Sequence, residues 1–408
     1  MQPSIRNGMI NDSDYITTVL LKGASQMNNE LSFASIPESV LVIGGGIIGC
    51  SIAYEFAKRG IQVSIVERGQ IGHEATSAAA GILAAHADSI VSDEFWQLLK
   101  DSQNMFQDWK HQLETFSDVH INYEERGIIR LCYEEKEELW LRQKIATLSS
   151  DSVWRSKDEL THEIPTIGEH VLGGVEWASD HQVNPHQLAL ALRVALQKYN
   201  VKIFEGVEAT SFTTSSPRTI DGARLADGRT IKANHVVIAG GAWTGNLLKS
   251  LGWTLPIHPV QGQCYQVRPK ISLTSRILYT QNCHIVPKSD GTVIVGQPQQ
   301  HSGFEKKLTI ESITSLHDQA VSILPGLKDA EFIRSWVGLQ PATPDGWPIL
   351  GQMVGYGGLT IASGHFKTGI LLAPITGKAV VASILNEPVP AYCARFSPNR
   401  FEATVLRK

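Results

Sequence analysis

A glycine-rich turn between two apolar segments limits the folds that are open to this chain. The sequence VLVIGGGIIG at 40–49 predicts a strand that runs into Gly44, Gly46 and Gly49, and residues 51–59 predict a helix. In a turn of this kind Gly44 permits the tight reversal, Gly46 lets the backbone approach a pyrophosphate, and Gly49 allows close packing of helix on strand. The N-terminus of the helix then faces the phosphates.

The second apolar segment ends on an acidic residue. A predicted strand at 61–66 is followed by Glu67. An acid roughly 20 residues after the glycines can accept hydrogen bonds from a ribose 2′-hydroxyl. Strand, turn, helix, strand and acid in this order are far more specific than GxGxxG alone. We therefore expect an α/β fold with a Rossmann-like dinucleotide-binding domain, and the alternative is a glycine-rich turn without a ligand.

Bulk composition excludes several classes of protein. The chain has 408 residues, 42% hydrophobic and 19% charged, which suits a globular protein of two domains. The formal net charge of −4 gives no electrostatic case for binding nucleic acid. No apolar run approaches the roughly 20 residues that span a bilayer. The 14 histidines show no HExxH or comparable spacing, so we expect no metal site.

The cysteines and the N-terminal segment bear on the cellular location. The five cysteines are scattered and include no CxxC pair, which predicts reduced thiols in the cytoplasm. Residues 1–37 are polar and lack the continuous hydrophobic centre of a signal peptide. We expect them to form a flexible extension.

Sequence typical of a nucleotide-binding domain returns twice along the chain. HVVIAGGAW at 235–243 predicts a buried strand and a second glycine turn, and residues 359–385 predict a strand, a turn and a helix. Alternating, β-rich sequence at 257–296 lies between them. The predicted organisation is a flexible extension at 1–37, a dinucleotide-binding domain at 38–90, 184–252 and 335–390, an inserted antiparallel β-rich substrate domain at 91–183 and 253–334, and a tail at 391–408.

The C-terminal segment separates two candidate dinucleotides, since GxGxxG fits both NAD and FAD. Its turn at 364–368 contains Lys367 and precedes a helix, so a helix N-terminus and a cation would lie near the first glycine turn. A reduced flavin carries negative charge that such a pair stabilises. There is no second GxGxxG and no CxxxxC redox pair, which argues against a reductase that also holds a nicotinamide. These features favour FAD.

Five segments together resemble the FAD-dependent D-amino acid oxidase superfamily. They are GGGIIG at 44–49, TSAAAGIL at 76–83, HVVIAGGAW at 235–243, GLQPATPDG at 338–346 and SGHFKTGILLAP at 363–374. Over about residues 39–390 the chain is most similar to the glycine oxidases of the thiamine pathway, and more distantly to the sarcosine oxidases. The covalent flavin cysteine of the sarcosine oxidases falls at Gly338, so the resemblance implies non-covalent FAD. It also implies a homo-oligomer, a tetramer in the glycine oxidases.

The resemblance further implies which residues contact FAD. They are Gly44, Gly46, Ile47, Ile48 and Gly49 along the phosphates, Glu67 and Arg68 at the adenosine, Val207 at the adenine, and Ala75, Thr76, Ala80, Gly81, Ile82, His365, Phe366, Lys367, Thr368, Gly369, Ile370 and Leu371 around the flavin. In the family, hydride leaves the carbon beside an amine for the flavin. The resulting imine hydrolyses, and oxygen reoxidises the flavin to give hydrogen peroxide.

Three positions depart from the family pattern at the substrate end. Gln340 stands where the glycine oxidases have an arginine that binds the substrate carboxylate. His284 replaces the active-site tyrosine of the family, and Asn282 replaces a histidine. A hydrogen bond to a charged partner contributes roughly 1.5–3 kcal/mol. Its loss at Gln340 would weaken carboxylate binding roughly ten- to a hundredfold.

Two accounts fit these departures. In the first, another cation binds the carboxylate, either Lys367, which aligns with a carboxylate-binding lysine of the sarcosine oxidases, or Arg130 on a neighbouring strand. In the second, His284 and Gln340 recognise an amine that is not a simple α-amino acid. The simpler alternatives are that His284 and Trp243 are packing residues and that Lys367 is a solvated turn residue.

The predicted function is FAD-dependent oxidation of a small amino acid or amine, with oxygen as the acceptor. We favour a changed or broadened amine substrate over an inactive protein. One alternative is a flavin amine dehydrogenase that passes electrons to a quinone or carrier. The other is a flavoprotein that has lost catalysis and acts as a binding subunit.

Overall fold

The computed structural model describes residues 36–86, 94–148, 151–300 and 303–404. The chain divides after Pro37, and the fold lies in the larger unit, residues 38–408. Almost all of the expected N-terminal extension lies outside the described residues, as do the expected domain boundary at 90/91 and the last four residues of the tail.

The helices and strands follow the order expected from the sequence. The helices are α1 (Ile47–Lys58), α2 (Ala75–Ala78), α3 (Glu94–Ser117), α4 (Glu135–Leu148), α5 (Lys157–Glu163), α6 (Pro185–Lys198), α7 (Thr244–Leu248), α8 (Ile310–Ile323) and α9 (Gly369–Ile384). The strands are β1 (Ser39–Ile43), β2 (Gln62–Val66), β3 (Ile82–Leu83), β4 (Ile128–Cys132), β5 (Ser152–Ser156), β6 (Gly173–Trp177), β7 (His181–Gln182), β8 (Lys202–Phe204), β9 (Ala209–Ser216), β10 (Thr219–Leu225), β11 (Thr230–Lys232), β12 (His235–Ile238), β13 (His258–Arg268), β14 (Ile277–Tyr279), β15 (His284–Pro287), β16 (Val293–Gln300), β17 (Glu331–Ala342), β18 (Ile349–Gln352) and β19 (Leu359–Ser363). Within the described residues, every helix is too short or too polar to traverse a bilayer.

A six-stranded sheet in the order β18-β19-β12-β1-β2-β8 forms the centre of the fold. Strands β19, β12, β1, β2 and β8 are parallel, and β18 is antiparallel at the edge. Parallel strands that are covered on both faces have continuous apolar sequences. The burial of β1 and β12 therefore accounts for their apolar residues. Val40 and Val42 pack against α1, α3, α6 and α9, whereas Leu41 and Ile43 face the layer formed by β9 and β10. The predicted Rossmann-like α/β fold is confirmed.

An eight-stranded sheet in the order β17-β13-β16-β15-β14-β4-β6-β5 forms a second layer. Its pairs are antiparallel except for β14 with β4. Helix α8 covers one face through Leu316, Ala320 and Ile323, which pack in one core with Tyr265 and Val295. The β-rich sequence expected at 257–296 supplies β13 to β16 of this sheet.

The division into two domains stays a proposal. The pairing of the strands and the packing of the helices change the expected assignment of two elements. The expected boundary at residue 335 falls inside β17, which pairs along its length with β13 of the second sheet. Helix α3 was expected in the substrate domain, but Leu98, Phe106 and Trp109 lie in the same core as α1. We therefore assign β17 to the second sheet and α3 to the dinucleotide-binding domain.

Helix α9 contains a proline, and a side chain of helix α3 bonds a carbonyl group in the turn before it. Pro374 has no N–H and its ring disturbs the carbonyls of the preceding turn. The buried Ser102 hydroxyl on α3 donates a 2.6 Å hydrogen bond to the Leu371 carbonyl in that turn. Since Leu371 lines the cavity described below, this bond ties α3 to the site.

Replacing Ser102 by alanine should destabilise the protein by about 1 kcal/mol, because a buried hydrogen bond is lost. Urea unfolding followed by far-ultraviolet circular dichroism measures the change. Ser250→Ala is the matched control, since Ser250 also donates to a helical carbonyl, that of Leu247, but on the surface. Equal midpoints for both variants would contradict the assignment.

Candidate active site

A cavity of about 470 Å³ lies between the two sheets. Ile43, Val66 and Ile238 line it from the carboxyl ends of the parallel strands. Tyr279 and Gln340 line it from the second sheet. A cavity at the carboxyl ends of parallel strands is where ligands bind in folds of this kind, and its volume suits a small-molecule site.

The glycine turn lies at one end of the cavity, and two of its glycines have no room for a side chain. Gly44 has a φ of +111°, and a Cβ there would lie 2.3 Å from the carbonyl oxygen of Ala239. A Cβ at Gly49 would lie 1.9 Å from the Gly44 carbonyl oxygen. At Gly46 the nearest atom to a Cβ is Thr76 Oγ1 at 3.6 Å, so this glycine leaves space on the cavity side. The turn therefore fits the phosphates of a dinucleotide.

Thr76 takes the role of a helix cap for α1. The N-cap residue of α1 is Gly46, which has no side chain to bond the first turn. Thr76 Oγ1 accepts a 3.0 Å hydrogen bond from the Ile47 N–H instead, and both residues are buried. The small-residue run that contains Thr76 and the glycine turn are thereby fixed to each other.

Glu67 and Arg68 form the end of the cavity expected to hold the adenosine. Glu67 accepts hydrogen bonds of 2.7 Å from the N–H groups of Gly45 and Gly69, and its carboxylate has further lone pairs for a ribose hydroxyl. The Arg68 guanidinium lies 3.6 Å from the Trp243 ring centroid and 3.4 Å from the Glu74 carboxylate. Trp243, which the sequence suggested was a packing residue, lines the cavity.

The segment before α9 closes the opposite end. Phe366 has a φ of +48°, an uncommon conformation for a residue with a side chain, and its N–H bonds the Pro341 carbonyl oxygen at 2.9 Å. Thr368 Oγ1 donates to the His365 carbonyl oxygen at 2.8 Å. The His365 ring is hydrogen-bonded to Thr376 Oγ1, and burial lowers its pKa to about 3. His365 is therefore neutral, and Lys367 supplies the positive charge of this segment.

A partly buried lysine holds the small-residue run in place through hydrogen bonds. Lys288 Nζ donates hydrogen bonds of 2.7 Å to the Ala80 carbonyl oxygen and to Gln182 Oε1. Burial lowers the pKa of Lys288 to about 8. The sequence did not indicate this role for Lys288. A lysine after Pro287 at the end of a strand resembles an ordinary surface lysine of a turn.

The wall expected to face the substrate combines Gln340, His284 and Tyr279. The Gln340 side chain lies at the cavity, and its buried Oε1 has no hydrogen-bond partner within the described part of the chain. The His284 ring lies nearly parallel to the Tyr279 ring, with centroids 6.2 Å apart and an interplanar angle of 11°. Tyr279 was also missed, although its pairing with His284 across a short hairpin could have indicated it.

The structure brings most of the predicted site residues together. Those that line the cavity are Gly44, Gly46, Ile47, Ile48, Glu67, Arg68, Ala75, Thr76, Ala80, Gly81, Ile82, His284, Gln340, His365, Phe366, Lys367, Thr368, Gly369, Ile370 and Leu371. Gly49, Val207, Asn282 and Arg130 do not. Their functional roles stay predictions.

These four residues are displaced from the cavity for identifiable reasons. Gly49 packs against the turn, and Val207 donates its N–H to the Glu67 carbonyl oxygen while its neighbour Glu208 lines the cavity. Asn282 is exposed in the hairpin turn between β14 and β15. Arg130 lies beside Tyr279 in the sheet, 3.9 Å from the Glu137 carboxylate.

No cluster of metal-ligating side chains accompanies this site. Within the described ranges, no group of three or more His, Cys, Asp or Glu residues could hold a metal ion. The five cysteines, all within those ranges, are free thiols.

A change of Thr76 to valine should weaken FAD binding about fivefold or more, because the first N–H of α1 loses its buried acceptor without a change of shape. Titration of flavin-free protein with FAD, followed by flavin fluorescence, gives the dissociation constant. Thr76→Ser keeps the hydroxyl and should bind FAD as the unchanged protein does. Unchanged FAD affinity in Thr76→Val, or weakening in Thr76→Ser alone, would contradict the role of the cap.

Acid should destabilise the protein partly through His365. Its folded pKa of about 3 lies below the unfolded value of 6.5, so its contribution to stability is complete above pH 6.5 and is lost as the pH falls toward 3. From pH 7 to pH 5 the unchanged protein should lose on the order of 1–2 kcal/mol more unfolding free energy than His365→Gln. Urea unfolding at both pH values measures this, and parallel losses would contradict it.

Comparison with known proteins adds to this geometry. Residues 39–383 match the model of a family described as FAD dependent oxidoreductase. A glycine oxidase from Bacillus licheniformis is 35% identical over 366 residues, which cover 89% of this chain and 97% of that protein. The crystal structure of glycine oxidase from Geobacillus kaustophilus aligns with a TM-score of 0.83 at 31% identity, over 88% of this chain and 98% of that one. Iminodiacetate oxidase from Chelativorans sp. BNC1 aligns with a TM-score of 0.79 at 25% identity, over 88% and 98% of the two chains.

Proposed function

Because the chain belongs to the family of FAD-dependent oxidoreductases, we propose that it oxidises a small amino acid or amine at the carbon beside its nitrogen. The observation that carries this proposal is the single cavity that joins the glycine turn to Gln340, His284 and Lys367. One end fits a dinucleotide, and the other offers hydrogen-bonding groups and one cation suited to a small polar substrate.

The residues at the first end are suited to holding FAD without a covalent bond. Gly44 and Gly46, with the N-terminus of α1, would meet the pyrophosphate, and Glu67 the ribose. The run Ala78–Gly81 has side chains no larger than a methyl group, which lets a flat ring lie against the backbone. Bound FAD supplies the chemistry of accepting a hydride from the carbon beside nitrogen and passing the electrons to oxygen.

Lys367 is the residue best placed to bind a substrate carboxylate. Among the described residues that line the cavity, the lysines and arginines are Arg68 and Lys367. Arg68 stacks on Trp243 and pairs with Glu74 at the adenosine end. A lysine gives a point charge and no bidentate fork, so carboxylate binding should be weaker than with an arginine at position 340.

Gln340 is suited to the amine of the substrate. Its buried Oε1 is an acceptor in need of a donor, and an amine N–H would satisfy it. The His284 and Tyr279 rings line the same cavity, so this end offers polar groups to a nitrogen as well as to a carboxylate. This favours a second candidate substrate class, amines that carry no carboxylate.

A homo-oligomer and a cytoplasmic location complete the proposal. Phe332 and Ile333 are 58% and 41% exposed on β17, which is an edge strand of its sheet. Exposed apolar edge strands are commonly covered by a partner, and a second copy is the simplest one. Free, mostly buried thiols suit the reducing cytoplasm.

A panel of amines tests the function. Glycine, sarcosine, D-alanine and ethylamine are added to the FAD-loaded protein under argon, and air is then admitted. Bleaching of the flavin absorbance by at least one amine is expected, followed by formation of hydrogen peroxide. Bleaching without peroxide would indicate a dehydrogenase with another acceptor, and no bleaching by any amine would contradict the proposal.

Replacement of Lys367 by methionine should raise KM for glycine about tenfold and leave KM for ethylamine, which has no carboxylate, nearly unchanged. Lys367→Arg is the matched control, because it keeps a cation at this position. If both substrates lose affinity equally in the methionine variant, Lys367 is not the partner of the carboxylate.

A further inference from the structure

Four residues form one row across the second sheet. Tyr279 is paired with His284, His284 with Gly296, and Gly296 with Cys264, on the neighbouring strands β14, β15, β16 and β13. Residues directly opposite each other on neighbouring strands project from the same face. Three of these side chains, those of Tyr279, His284 and Cys264, line the cavity. The row is therefore a wall of the cavity with a glycine in its middle.

The space where a side chain at Gly296 would lie is occupied by a neighbouring residue. A Cβ at Gly296 would lie 2.1 Å from His284 Nε2, 2.8 Å from Cε1 and 2.9 Å from Cδ2. All three ring atoms are closer than any real Cβ contact. The imidazole of His284 thus fills the space of the side chain that position 296 lacks.

The backbone does not require a glycine at this position. Gly296 is not among the glycines with positive φ. Its place in the regular antiparallel ladders of β16 is one that any residue could adopt. Space for the imidazole is the constraint that the structure reveals.

The other side of the imidazole is also bounded. The Tyr279 ring lies nearly parallel to it at 6.2 Å. A side chain at 296 would have to lift the ring away from the sheet, and that face of the sheet lines the cavity. The width of the cavity at this wall therefore depends on the absence of a side chain at 296.

We propose that Gly296 is a specificity-determining residue that acts through His284. By letting the imidazole lie against its strand, it sets the width of the amine-binding end and so the size of the group that the amine can carry. This inference rests on the proposed function, since it concerns the selection among amines.

A double-mutant cycle tests the coupling. Gly296→Ala, His284→Ala and the double variant are compared with the unchanged protein by the ratio of kcat/KM for D-norvaline to that for glycine. Gly296→Ala should lower this ratio about tenfold, because the displaced ring narrows the cavity, and His284→Ala should raise it about tenfold. In the His284→Ala background the change at 296 should alter the ratio by no more than about twofold.

Gly357→Ala is the matched control. The nearest atom to a Cβ at Gly357 is Thr219 Oγ1 at 3.7 Å, an ordinary contact, and Gly357 does not line the cavity. This variant should keep the selectivity ratio. FAD content per chain is measured for every variant, and it should stay unchanged because none of these residues lies at the glycine turn.

The outcomes separate this inference from the proposed function. An equal shift by Gly296→Ala in both backgrounds, or no shift in the unchanged background, overturns the role of Gly296. If Gly296→Ala does not fold, rescue of folding and FAD content by His284→Ala supports the clash, and failure to rescue contradicts it. Absence of flavin bleaching in the unchanged protein with any amine would instead refute the function on which the inference rests.

Discussion

The site depends on the close contact between the first turn of helix α1 and the end of strand β1. A Cβ at Gly49 would overlap the Gly44 carbonyl oxygen, and a Cβ at Gly44 would overlap the Ala239 carbonyl oxygen, so the first turn of α1 lies in direct contact with the residue that follows β1. This contact directs the N-terminus of α1 into the cavity, and Thr76 completes it by capping the helix from another part of the chain. Because the cap comes from the small-residue run, one interaction fixes both the phosphate end and the wall on which the flavin would lie.

The fold was largely predictable because its central strands are hydrophobic on both faces. The runs at β1 and β12, followed by glycine turns, indicated a parallel sheet directly. The partition of α3 and β17 was not predictable, since an amphipathic helix and an alternating strand show that one face is buried but not against which element. Only the contacts of Trp109 with the first core and of β17 with β13 decide this.

The cofactor end of the site could be predicted, and the substrate end only in part. The glycines and Glu67 follow a motif whose spacing along the chain fixes their geometry, and the resemblance to the family indicated the segment before α9. Tyr279 and Gly296 become visible only when strand pairing places them beside His284, and Lys288 only through its hydrogen bond to the Ala80 carbonyl oxygen. An alternating strand gives the face of each residue but not its neighbours across the sheet.

In the proposed function, the cavity binds FAD through the turn at Gly44–Gly49, and its other end, lined by Gln340, accepts an amine. Titration of flavin-free protein with FAD and, separately, with NAD in a calorimeter tests this most directly. Saturable binding of one FAD per chain, with no heat from NAD, is the predicted result. Binding of NAD in place of FAD, or of neither dinucleotide, would contradict it.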